Sequence, residues 1–96
     1  MDLELKFEWD DDKDIINQMR HGVSFEEATE VFYDPRRLEL YDRKHSLFED
    51  RWIARGLSGC NVLIVIFTER RGGVIRIISA READKEEEEE YFKWLW

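Results

Sequence analysis

The 96-residue sequence predicts an α+β domain in which helices pack on one face of a small antiparallel sheet, in the order β-α-α-β-β-β-β-α. Two observations predict it. Helix start and stop signals crowd into the first 35 residues behind one alternating segment. Four strand-like segments separated by turn residues then follow, before a final charged helix. The length fits one domain, residues 1–96, with no linker or repeat, and its last part, 82–96, reads as an acidic, aromatic-ended helix.

Leu3 to Trp9 alternates, with Leu3, Leu5, Phe7 and Trp9 on one side and Glu4, Lys6 and Glu8 on the other, as a half-buried strand requires. The run Asp10-Asp11-Asp12 supplies an N-cap and first-turn negative charge for a helix through Met19, whose apolar stripe is Ile15, Ile16 and Met19. Gly22 suits the left-handed position that ends it. Ser24 and Glu27 form a capping box, with Val23 and Ala28 as a hydrophobic staple, for a second helix carrying Phe25, Ala28, Val31 and Phe32 and stopped by Pro35.

A short strand from Leu38 to Tyr41 precedes a polar connection containing Lys44 and His45. Arg51 to Leu57 is a mixed strand. Val62 to Thr68 is apolar on nearly every residue, as the middle strand of a sheet would be, and Val74 to Ala80 is rich in Ile. A two-residue loop at Gly72-Gly73 sets Arg71 opposite Val74, Glu69 opposite Arg76 and Phe67 opposite Ile78. The last helix starts near Asp84, with Glu87 completing a second capping box, and carries Tyr91, Phe92, Trp94, Leu95 and Trp96 as its apolar residues.

Composition excludes several classes. A hydrophobic fraction of 43% with six Phe, four Trp and three Tyr can fill a core, so global disorder is not expected despite 40% charged residues. The single Cys60 forms no internal disulfide and has no base near it in sequence. Two histidines give no zinc spacing, no cofactor motif is present, and no apolar run is long enough for a membrane span. The N-terminus is acidic and unlike a signal peptide, which places the chain in the cytoplasm. The net charge of −8 is strongly segregated: residues 1–35 carry −8, residues 36–81 carry +5, and residues 82–96 carry −5. Nine of the ten basic residues in the middle block are Arg, the side chain that grips phosphate bidentately.

Several strings resemble the BrnT family of bacterial ribonuclease toxins, part of the broader RelE-like fold: FEWDDDK (Phe7 to Lys13), RHGVSFEEA (Arg20 to Ala28), Asp34-Pro35, the stretch from Asp50 to Ser58, and LIVIFTER followed by IRIISAR (Leu63 to Arg81). They occur in order over most of the chain. The resemblance implies a metal-independent endoribonuclease that cleaves RNA and inhibits translation. It also implies a cognate ribbon-helix-helix antitoxin as partner, with operator DNA reached only through that antitoxin, and no membrane partner.

Cleaving RNA without a metal requires activation of a 2′-hydroxyl, stabilisation of the phosphorane's added charge and protonation of the leaving oxygen. Arg51, Arg76 and Arg81 are the candidates for the charge, and Glu49 or His45 for a proton. Lys44, Arg55, Arg70 and Arg71 are candidates for RNA contact, and Glu69 is a further proton carrier. Quieter roles stand beside these. Arg76 can pair with Glu69 across the hairpin, Arg81 with Glu82 or Asp84, and Arg70 and Arg71 can be plain loop residues. Arg76 and Arg81 differ in strand parity and share a face only if the strand ends or bulges near Ser79. His21 reads as a helix C-terminal charge, and Trp9 and Trp52 read as core. Trp94 and Trp96 are candidates for a partner surface. The Glu86–Glu90 run is a solvated helix face or, alternatively, a phosphate mimic masking the basic centre. Two other functions compete with the nuclease: a degenerate toxin that only binds its partner, and a metal-dependent nuclease built on Glu8, Asp10, Asp11 and Asp12. Consecutive residues at a helix start do not converge on one ion, which weighs against the last.

Overall fold

A computed structural model describes residues 4–93, so Leu3, Trp94, Leu95 and Trp96 lie outside the described residues. Strands β1 (Phe7–Glu8), β2 (Leu38–Tyr41), β3 (Trp52–Ser58), β4 (Asn61–Arg70) and β5 (Val74–Glu82) form one sheet in the order β1-β5-β4-β3-β2. Helices α1 (Asp11–His21), α2 (Phe25–Thr29) and α3 (Lys85–Lys93) complete the expected element order. The apolar strand β4 lies in the middle of the sheet.

The sheet is mixed rather than wholly antiparallel. β2 to β5 are antiparallel neighbours, but β1 joins β5 parallel, through Phe7 opposite Ile75 and Glu8 opposite Arg76. Only two residues of the alternating segment pair in this way, yet Leu5, Phe7 and Trp9 all pack against the core. That core lies between the sheet and the first two helices, where Val23, Phe25, Ala28, Val31 and Phe32 meet Ala54, Leu63, Val65, Phe67, Ile75, Ile77 and Ala80. Trp52 packs at its edge.

Helix α1 departs from its sequence reading. Asp10 caps it, accepting from the N–H groups of Asp12 and Lys13, and Gly22 ends it at φ 69°. The stripe of Ile15, Ile16 and Met19 nevertheless faces solvent, and Met19 is 81% exposed. The helix docks instead through Asp14 and Asn17, one turn apart. Asp14 accepts from the Phe25 N–H at 2.8 Å. Asn17 is buried, donates to the carbonyls of Val23 and Ala80 at 2.9 and 2.8 Å, and accepts from the Ala80 N–H at 3.2 Å. Satisfying backbone groups that neither β-ladder reaches outweighs burying the isoleucines, which apolar periodicity cannot register.

Two further details position the site. The β4–β5 connection spans Arg71–Gly73, with Gly72 and Gly73 at positive φ, so Arg70 faces Val74, Glu69 faces Ile75, Thr68 faces Arg76 and Phe67 faces Ile77. The three-residue loop shifts the register from that of a two-residue turn, and Arg76 does not oppose Glu69. Farther along, Ile66 pairs with Ser79 while Phe67 pairs with Ile77, leaving Ile78 as an extra residue. Ile77 and Ala80 consequently both enter the core, and Arg76 and Arg81 share the opposite face.

Helix α3 lies over that opposite face. Its capping box forms as read, Asp84 and Glu87 exchanging N–H to carboxylate bonds of 2.9 and 2.8 Å. Tyr91 is buried, and its hydroxyl donates to Asp34, which also accepts from the N–H groups of Leu57 and Arg36. Burial and the Asp34 contact push Tyr91 up to about 12. Burial alone would raise Asp34, but these hydrogen bonds and the Arg36 charge outweigh it and leave the carboxyl below its usual value.

Candidate active site

The sheet face away from α1 and α2 holds a cleft of about 510 Å³. Alternation along β3 sends Ala54 to the core and Ile53 and Arg55 to this side, where Arg51 just ahead of the strand, Ile64 and Ile66 of β4 and Ile78 and Arg81 of β5 join them. The cleft therefore has an isoleucine floor and a guanidinium rim, closed at one end by Asp42, Lys44 and His45. His21, at the end of α1, also lines it, beyond the helix-end role read for it from its position.

The Lys44–His45 end rests on a residue that sequence reasoning missed. Asp42 is 6% exposed and accepts from His45 twice, from its N–H at 3.3 Å and from ring Nδ1 at 2.9 Å. A carboxylate can only accept here, so the Nδ1–H bond leaves Nε2 open. Ser46 fastens the same loop to β3, donating to the Asp42 carbonyl at 2.5 Å and accepting from the Arg51 N–H at 2.9 Å. A D-x-x-H spacing at a turn is the signal that could have found Asp42.

The rim arginines are met by carboxylates. Glu49 reaches Arg51 at 3.7 Å and Arg70 at 3.3 Å. Glu90 reaches Arg55 at 3.3 Å. Arg81 holds Glu87 with two bonds of 2.7 and 2.9 Å, not Glu82 or Asp84 through their side chains. That fork, aided by the Asp84 N–H and the Arg55 charge against a burial penalty, holds Glu87 at about 2 and pushes Arg81 above its ordinary value. The Glu86–Glu90 run is thus not wholly solvated, since two of its members sit on the basic rim. Even so, the Nε–H groups of Arg51 and Arg55 are buried without a hydrogen-bond partner, a costly state for a charged donor.

The remaining candidates lie elsewhere. Arg76 is at the β1 side, held by Glu8 at 2.8 Å, and does not line the cleft. Arg70 lies with Glu49 and Asp50 in a separate shallow hollow, and Arg71 is exposed in the β4–β5 turn. Glu69 is exposed outside the cleft. Asp10 is engaged as a cap and Glu8 by Arg76, and among the described residues no three His, Cys, Asp or Glu side chains converge as metal ligands. Among the same residues no helix is long and apolar enough to cross a membrane.

Comparison with known proteins gives one family and a matching fold. Residues 9–87 match the family model described as the ribonuclease toxin BrnT of type II toxin-antitoxin systems. The crystal structure of the Brucella abortus ribonuclease toxin BrnT superposes with a TM-score of 0.66 at 26% identity, covering 85% of this chain and 100% of that one. A comparison with curated proteins gives no match.

Proposed function

This chain belongs to the BrnT family of type II ribonuclease toxins, and on that footing we propose that the arginine-rimmed cleft is where it cleaves RNA, without a metal ion. The observation that carries this reading is the convergence of Arg51, Arg55 and Arg81 on one cleft. A phosphodiester offers the guanidinium groups acceptor oxygens at their open edges, and a phosphorane, with its extra negative charge, offers stronger ones.

The reaction follows from the groups at hand. The substrate's 2′-hydroxyl attacks the adjacent phosphorus, the 5′-oxygen leaves, and a 2′,3′-cyclic phosphate remains. Glu49, beside Arg51, takes the hydroxyl proton. His45, fixed through Nδ1 by Asp42, gives a proton from Nε2 to the leaving oxygen. Asp42 is a positioning residue, and Lys44 holds the backbone of the incoming strand. Such cleavage would inhibit translation, with the cytoplasm as the place where the chain acts. The partner that family membership implies is an antitoxin protein; we take it to be of the ribbon-helix-helix type, binding operator DNA on behalf of the pair.

The test is cleavage of bulk RNA by purified protein with EDTA present. Cyclic-phosphate ends and a loss of about 100-fold or more in Arg51→Ala or His45→Ala, with folding intact, are expected. Absence of cleavage, or its loss with EDTA, overturns the assignment. One observation favours a second reading, a chain that retains only partner association: the rim arginines already face Glu49, Glu87 and Glu90. Tight antitoxin binding without RNA cleavage would establish it.

A further inference from the structure

We infer that Phe48 is a stacking platform for an unpaired base of the RNA, which makes the substrate of this cleft single-stranded; the inference rests on the ribonuclease reading above. Phe48 is 100% exposed, and Leu47 beside it is also exposed. Among the described residues no aromatic ring packs on Phe48, whereas Phe7, Phe25, Phe32 and Phe67 all have ring partners in the interior. A fully solvated phenyl group contributes nothing to the core, and with Leu47 it forms an apolar patch open to a partner.

Its place says what the contact is. Phe48 lines a hollow of about 320 Å³ together with Lys44, His45, Leu47, Glu49 and Arg51, so the ring stands among the groups assigned to phosphate and proton transfer. The loop that carries it is fastened at both ends, by Asp42 to His45 and by Ser46 to Arg51. The backbone that carries the ring is therefore anchored beside the rim. A strand whose phosphate lies on Arg51 and Lys44 has its nearest base within reach of that ring, and every base offers a π-face to stack. Bases inside a duplex have both faces covered, so an unpaired strand fits.

The experiment uses the full chain and non-cleavable 2′-O-methyl strands: four homopolymers and an abasic strand of equal length, with binding read by fluorescence anisotropy. Phe48→Ala is expected to weaken at least one base-bearing strand by about 5- to 20-fold while leaving the abasic strand unchanged, and Phe48→Trp to restore binding. Melting of each variant is measured alongside. Equal affinities for wild type and Phe48→Ala on all strands overturn the inference, as does an equal loss on the abasic strand. Weaker antitoxin association with unchanged RNA binding also overturns it and assigns the ring to the protein partner. Because binding is read without cleavage, a wild-type chain that stacks bases but cuts nothing separates failure of the nuclease reading from failure of this one.

Discussion

Glu87 performs two tasks, and charge alone distinguishes them. Glu87→Gln removes the charge but keeps an oxygen for the Asp84 N–H, since Gln serves the same position in a capping box. The carboxyl is held at about 2 against an ordinary 4.5, first by the hydrogen bonds from Arg81. A group held that far down contributes at most about 3 kcal/mol at neutral pH. Arg81 is 43% exposed, and solvent screening brings the figure to about 1–2 kcal/mol. The folded chain binds this proton less readily than the unfolded chain, so the stabilisation is complete above 4.5 and is lost as the pH falls towards about 2. Urea unfolding of both proteins from pH 7 downward should show wild type ahead by about 1–2 kcal/mol at neutrality, with the gap closing through that window. A gap that does not change with pH, or no gap at pH 7, refutes the reasoning.

Asn17→Leu, similar in size, leaves the Val23 carbonyl and both backbone groups of Ala80 unpaired and should cost about 2–4 kcal/mol in urea unfolding. Met19→Lys should change stability by less than about 0.5 kcal/mol in the same assay, because its side chain already faces water. Glu90→Gln frees Arg55, whose side chain is only 14% exposed, from a half-exposed ion pair; stability should fall by about 0.5–1 kcal/mol, while affinity for single-stranded RNA rises about 2- to 5-fold at low salt. A fall in RNA affinity in that variant would show that Glu90 does not screen Arg55.

What the sequence disclosed was local. The caps at Asp10, Ser24 and Asp84 are written within four residues of chain, and each formed as read. β2 and the central place of β4 followed from turn residues and an apolar run. What escaped depends on contacts between distant residues. The parallel pairing of β1 has no local signature, and α1 turned its isoleucines outward because Asn17 answers a need created at Ala80. In the site, charge segregation pointed to the arginine block, but only the extra residue at Ile78 decides which way Arg81 faces. Arg76 looked equivalent to Arg81 along the chain and proved to be Glu8's partner at the sheet margin. Asp42 was hidden because a buried carboxylate reads like any polar loop residue until His45 is seen against it.

The parallel seam between the first and last strands also orders assembly. Phe7 and Glu8 find their partners 68 positions downstream, so an emerging N-terminus has no strand to join until β5 has been synthesised. Contacts this remote are slow to close. Arg81 lies in that same late segment. The cleft thus gains its full guanidinium rim only once the strand that carries Arg81 has been added to the part that carries Arg51 and Arg55.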